Sequence, residues 1–288
     1  MASGYQPQTK TKMVLSYHNI AEERGFYTLS EAQFEEQLHY LKGRYDVVSV
    51  PEYVDHIYRY GKSREGSVVI TFDDGFKSYA EIALPLLDKM KMPSALFVCT
   101  GYLGRSNEWN EEQYRSPIMD EQQLKEVARN ELVTIGAHTV YHPELARLQR
   151  TVIQFELGES KAYLENLLGR RIDYVAYPYG QMHLHVNQKV LSVARSLEYR
   201  GAFSTNYDIT NSRKSLYKMN RVDIAAEDDL NEFILKLQPA NHYYEEQRKR
   251  NRRSFRQTLR VFGHVAMVDC LEGMLPVIET SSSIDPAF

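Results

Sequence analysis

The sequence predicts an α/β fold, an irregular (β/α) barrel of about seven parallel strands, and three observations carry that expectation. Short apolar, β-branched runs alternate with stretches of helical spacing, the pattern of a parallel sheet with crossover helices. No glycine-rich dinucleotide fingerprint follows any of these runs, which argues against an open doubly wound sheet. Polar side chains of catalytic type stand just after several of the runs, and a parallel barrel gathers such strand ends on one face.

Taken in order, Met13 to Tyr17 reads as the first buried strand. Ser30 then caps a helix, with Gln33 reaching back and Phe34, Leu38 and Leu41 as its apolar stripe. Val68 to Phe72 is the next strand, followed by a helix over Lys77 to Met90 that Pro85 should kink. Ala95 to Cys99 is a strand, and Asp120 with Gln123 repeats the capping pattern ahead of Leu124 and Val127. Leu132 to Ile135, Tyr174 to Tyr177, Gly201 to Ser204 and Arg221 to Ile224 complete the strands. Helices are expected at Arg150 to Leu168, stopped by Gly169, at Asn187 to Glu198 and at Glu227 to Leu237. The long connections Gly101 to Met119 and Asn206 to Met219 are candidate site loops.

This divides the chain into a flexible N-terminal segment, 1–12, a catalytic barrel, 13–238, and a C-terminal extension, 239–288. In the extension Arg248, Arg252, Arg256 and Arg260 recur at helical spacing beside Phe255, Leu259 and Phe262. We read it as a basic amphipathic helix packed through its phenylalanines, the alternative being a dock for an anionic polymer, lipid head group or partner. A net charge of -3 gives no reason to expect nucleic acid. No run approaches the ~18 apolar residues of a membrane span. The polar start through Lys12 lacks a signal-peptide apolar region, so the chain as read is cytoplasmic, or of the envelope or exterior if a natural leader has been removed. Cys99 and Cys270 lie far apart in sequence and read as reduced, packed thiols rather than a bridge.

The chemistry concentrates at the carboxyl ends of the strands. Asp73 and Asp74 end a very apolar run and precede Gly75; a hairpin turn would need a second strand next, but a helix follows. Neighbouring carboxylates can divide labour, one holding a metal ion while the other accepts a proton. His138 and His142 have metal-ligand spacing, and Pro143 places them on a strand-end loop rather than along one helix. His18 follows the first strand. Trp109, with Tyr102 and Tyr114, either offers a sugar ring an aromatic platform or packs its loop down. His183 and His185 read as exposed loop residues.

Three segments, Thr71-Phe72-Asp73-Asp74-Gly75, His138-Thr139-Val140-Tyr141-His142-Pro143 and Tyr177-Pro178-Tyr179-Gly180, resemble in order and spacing the first three motifs of the polysaccharide deacetylases. This is the NodB-homology family, or carbohydrate esterase family 4, and the resemblance spans roughly Lys12 to Leu237. It implies a distorted (β/α) barrel and one divalent ion, Zn²⁺ with Co²⁺ or Ni²⁺ as substitutes, on Asp74, His138 and His142. It implies further that Asp73 is the general base, that the Tyr179 N–H helps hold the oxyanion, and that the partner is an N-acetylated amino-sugar polymer or oligosaccharide. Two features depart from the pattern. Ala176 stands where many members carry an arginine that buttresses the base, and Arg221 either replaces that charge, at the substrate-facing site, or makes a surface ion pair. The late Leu-x-x-His segment that supplies the general acid is absent beyond Val222. Instead Ser16-Tyr17-His18-Asn19 is similar to biofilm poly-N-acetylglucosamine deacetylases, in which the acid histidine comes first, so His18 is the acid candidate. The alternatives are an amidohydrolase of non-sugar amides or small sugar conjugates, and a non-catalytic carbohydrate-binding relative.

Overall fold

The computed structural model of the protein describes residues 12–22, 25, 27–206 and 210–238. Among them the strands are β1 (Met13–Tyr17), β2 (Asn19–Ile20), β3 (Thr28–Leu29), β4 (Asp46–Val47), β5 (Ser67–Phe72), β6 (Ser94–Val98), β7 (Val133–Ala137), β8 (Tyr174–Ala176), β9 (Gly201–Phe203) and β10 (Val222–Asp223). The α-helices are α1 (Glu31–Leu41), α2 (Val50–Tyr60), α3 (Leu84–Met90), α4 (Glu121–Val127), α5 (Arg150–Leu168), α6 (Gln188–Ser196) and α7 (Leu230–Lys236). Seven strands run in the order β10-β1-β5-β6-β7-β8-β9, with β4 added beside the start of β5 and β2 paired to β3 apart from the sheet. Every pairing between these strands is parallel, as the alternation with helices predicts. The expected irregular barrel of about seven parallel strands is the fold observed.

Strand alternation explains how the core is layered. Met13, Leu15 and Tyr17 of β1, with Val68, Ile70 and Phe72 of β5, join Phe34, Leu38 and Leu41 of α1 in the layer between sheet and helices. Val14, Val69, Ala95 and Phe97 point the other way and pack with Ala176, Phe203 and one face of α2. Helix α2 is absent from the sequence-based expectations. Its signals are nonetheless local: a Ser49–Glu52 capping box, Pro51 in the first turn, buried Val50, Tyr53, Val54 and Ile57, and Gly61 in the left-handed conformation at its end.

Register places the working residues side by side. Tyr17 pairs with Phe72, so His18 and Asp73 leave neighbouring strands at one level, and Val98 pairs with Ala137, immediately before His138. Between β9 and β10 the sheet is joined by the residues just before β10: Phe203 bridges to Met219, and the Ser204 N–H donates to Met219 O at 2.7 Å.

The helix expected over Lys77 to Met90 is divided. Pro85 has no N–H to return to Glu81, and its ring would crowd that carbonyl. The chain accordingly takes a π turn over Tyr79–Ala83 before α3, with the Leu84 N–H donating back to Tyr79 O. The 239–288 extension, with the basic helix expected in it and Cys270, lies outside the described residues, as does the N-terminal segment up to residue 11. No helix among the described residues is long and apolar enough to cross a membrane.

Candidate metal centre

The fully buried strand β5 delivers two adjacent acids to the barrel mouth, and the backbone sends them into different surroundings. The Asp73 N–H donates to Tyr17 O at 3.0 Å, extending the ladder by one residue. Asp74 (φ 73°) and Gly75 (φ 87°) are then both left-handed, which ends the strand at once. Aspartate tolerates that region better than most residues, and a Cβ on Gly75 would meet Val98 Cγ1 at 3.3 Å.

Asp74 faces the two histidines. Its Oδ1 lies 3.3 Å from His138 Nε2 and 3.4 Å from His142 Nε2, all three side chains being nearly inaccessible. His138 Nδ1 lies 2.8 Å from Ala176 O, which can only accept, so Nδ1 carries the hydrogen and a neutral His138 turns a lone pair toward Asp74. Asp74 Oδ1 is buried without a hydrogen-bond partner. A carboxylate oxygen facing an imidazole lone pair is repulsive unless a cation lies between them. The donor set of one oxygen and two nitrogens, within 4.8 Å of one another, fits a divalent ion with a position left open. Burial works against charge on Asp74, but hydrogen bonds from the two imidazoles in their protonated form would hold its carboxyl well below the usual range.

The His138–His142 turn is tightly fastened. Thr139 (φ 67°) and His142 (φ 56°) are both left-handed. The His142 N–H donates to Thr139 Oγ1 at 3.0 Å, and Thr100 and Gly101 donate their N–H groups to Thr139 O and Val140 O. A Cβ on Gly101 would sit 2.6 Å from Val140 O, so that approach requires glycine. The Cys99 thiol, free and buried as expected, lies 3.2 Å from Val140 O, and burial pushes its pKa up. Glu156 of α5 accepts from the Val140 and Tyr141 N–H groups. Sequence reasoning passed it over, although a carboxylate among Ile153, Leu157 and Leu164 on the buried face of α5 is out of pattern.

Asp73 meets Arg221 instead of the histidines. The guanidinium donates through Nη1 to Oδ1 at 2.7 Å and through Nη2 to Oδ2 at 2.6 Å, a bidentate pair. Nη1 also reaches Thr71 Oγ1, Nε donates to Ser204 O across the β9–β10 junction, and the cation lies over the Phe97 and Phe203 rings. Arg221 is wholly inaccessible, which excludes the surface ion pair and leaves its guanidinium buried against the Asp73 carboxylate. Burial would raise the Asp73 carboxyl, but Arg221, with His138 and His18, holds it below its ordinary value.

Three further candidates border this centre. The His18 ring stacks on Tyr27 at 4.7 Å. Tyr179 and Gly180 are successive left-handed residues (φ 58° and 60°), held by Thr205 Oγ1 donating to Tyr179 O and Thr205 N–H to Gly180 O. The Tyr179 N–H has no acceptor among the described residues, and the ring lies 4.7 Å from His142. Trp109 stacks on His142 at 4.2 Å and 15°, with Tyr102 edge-on behind it. Its contact is therefore with a proposed metal ligand on one face, and no contact with Tyr114 accompanies it among the ring pairs of the described residues. His185 is half-buried with its ring 5.2 Å from that of Tyr179, whereas His183 is exposed as expected.

The profile of the polysaccharide deacetylase family matches residues 60–202. Over 229 residues the chain is 27% identical to the poly-beta-1,6-N-acetyl-D-glucosamine N-deacetylase of Staphylococcus aureus (strain COL), covering 76% of this chain and 74% of that one. The solved structure of IcaB from Ammonifex degensii is similar with a TM-score of 0.66 and 26% identity, over 75% of this chain and 93% of that chain. The Streptococcus pyogenes deacetylase PplD in complex with acetate has a TM-score of 0.66 at 23% identity, over 81% and 100% respectively, a likeness of fold.

Proposed function

Because the chain carries a polysaccharide deacetylase domain, we propose that it hydrolyses acetamido groups on an N-acetylated amino-sugar polymer, releasing acetate, with one divalent ion on Asp74, His138 and His142. The observation that carries this reading is the division of labour between adjacent acids: Asp74 turns a partnerless oxygen toward two imidazole nitrogens, while Asp73 is clamped by a buried arginine. Zn²⁺ suits the oxygen and nitrogen donors, with Co²⁺ or Ni²⁺ as substitutes. When bound, the ion supplies Lewis acidity toward a water molecule and the acetyl carbonyl.

The chain's own groups would do the rest. Asp73, kept ionised and aimed by Arg221, accepts the proton of the attacking water. The Tyr179 N–H meets charge as it develops on the carbonyl oxygen, and its left-handed turn holds it there without rearrangement. His18, one strand away from Asp73, protonates the nitrogen as the carbon–nitrogen bond breaks, so that free amine and acetate leave. The relative that acts on poly-β-1,6-N-acetyl-D-glucosamine makes that polymer the first substrate to try. Acetate release from it and from chitooligosaccharides, compared with small amides and repeated after chelation, tests the reading. Release that survives complete metal removal, or that is confined to non-sugar amides, would overturn it.

A further inference from the structure

Glu156 is a buried carboxylate, 4% exposed, whose purpose is not catalytic in any direct sense. It stands on the apolar face of α5, where Ile153, Leu157 and Leu164 are also buried, and one oxygen, Oε2, accepts both the Val140 and the Tyr141 N–H at 2.9 Å. Those two N–H groups are the middle of the turn that carries His138 and His142 at its ends. Burial raises the Glu156 carboxyl above its ordinary value, while the hydrogen bonds from Tyr141 and Val140 favour its ionised form, and bonds to an ionised acceptor are stronger than neutral ones. The other fasteners of the turn, from Thr100, Gly101, Cys99 and Thr139, are neutral.

The turn needs such an anchor. Thr139 and His142 both hold left-handed backbone without being glycine, a conformation that L side chains disfavour. A relaxed turn would change the distance between the two Nε2 atoms, which now lie 3.3 and 3.4 Å from the same Asp74 oxygen. We infer that Glu156 is a positioning residue, whose hydrogen bonds to Val140 and Tyr141 set the separation of His138 and His142 and thereby the affinity of the site for its ion. The inference rests on the metal reading above and adds to it a residue that touches neither ion nor substrate.

The test is zinc affinity of the apo-protein, measured by competition with a chromophoric chelator, for the wild type, Glu156→Gln, Glu156→Ala and the exposed same-helix control Glu159→Gln. Groups supporting metal ligands typically change affinity by about 10- to 100-fold when lost. The expected result is a zinc dissociation constant roughly 10-fold higher or more in Glu156→Gln, with folding verified by circular dichroism, and no change in Glu159→Gln. Glu156→Ala should be weaker still; if it fails to fold, Glu156→Gln decides. Equal zinc affinity in wild type and folded Glu156→Gln overturns the inference while leaving the metal reading intact. A wild type that binds no zinc overturns the metal reading, and this inference with it.

Discussion

Replacing Arg221 by Met removes one partner of a wholly buried ion pair and leaves the methionine among the Phe97 and Phe203 rings that now flank the guanidinium. Breaking a buried pair in this way typically costs about 3–5 kcal/mol, because the remaining charge is stranded. For a domain of this size that corresponds to roughly 6–20 °C in Tm. In the native protein the Asp73 carboxyl is held below its ordinary value. Its contribution to stability is therefore present above the unfolded pKa and is lost as pH falls through the lower folded pKa. Without Arg221 burial dominates and the Asp73 pKa rises. The deficit of Arg221→Met should then be largest at alkaline pH and shrink as pH falls through the raised pKa and Asp73 takes up a proton. The acid limb of the pH–rate profile should move to higher pH in parallel, since the base must be ionised to act. Thermal melts and acetate-release profiles between about pH 5 and pH 9 check both effects. Adding Asp73→Asn should recover much of the lost stability, though not activity. A deficit that is constant with pH, with an unmoved acid limb, would refute the claim that Arg221 sets the charge of Asp73.

Asp74→Ala, His138→Ala and His142→Ala should each lose metal and activity together, whereas Asp73→Asn should keep its metal while turnover falls by roughly 10² or more; elemental analysis separates the two classes. His18→Ala should retain metal and fold but lose most amide hydrolysis, with a much smaller loss on an activated acetyl ester that needs little protonation, and equal losses on both would assign His18 to positioning. Gly180→Ala and Gly169→Ala carry a similar left-handed penalty of about 1 kcal/mol, but only at Gly180 would the new Cβ sit 2.6 Å from Thr205 N, while nothing lies within 4 Å of that at Gly169. The first variant should therefore melt lower than the second and slow turnover through the Tyr179 turn, as calorimetry and initial rates would register.

What the sequence determined by itself was whatever chemistry acts over a few residues. Buried strands announced themselves as apolar runs, Ser30 and Asp120 as caps, Gly169 as the stop of α5, and the paired acids and spaced histidines as strand-end groups, since each signal lies within one turn or one strand of the chain. Helix α2 was equally local and was legible in its capping box and Gly61. Other features depended on which strand ends meet. Arg221 and Asp73 are 148 residues apart and come together because β10 and β5 both flank β1, so no spacing rule could distinguish a buried clamp from a surface pair. Ala176 packs in one cluster with Phe97 and Phe203, the rings beneath that guanidinium, so the charge missing from its own strand enters from another. Glu156 and Trp109 likewise acquire their places only when α5 and the loop after β6 close over the histidine turn. Hydrogen bonds and ring contacts are decided by ångström distances, and only the packed barrel fixes those between residues far apart in the chain.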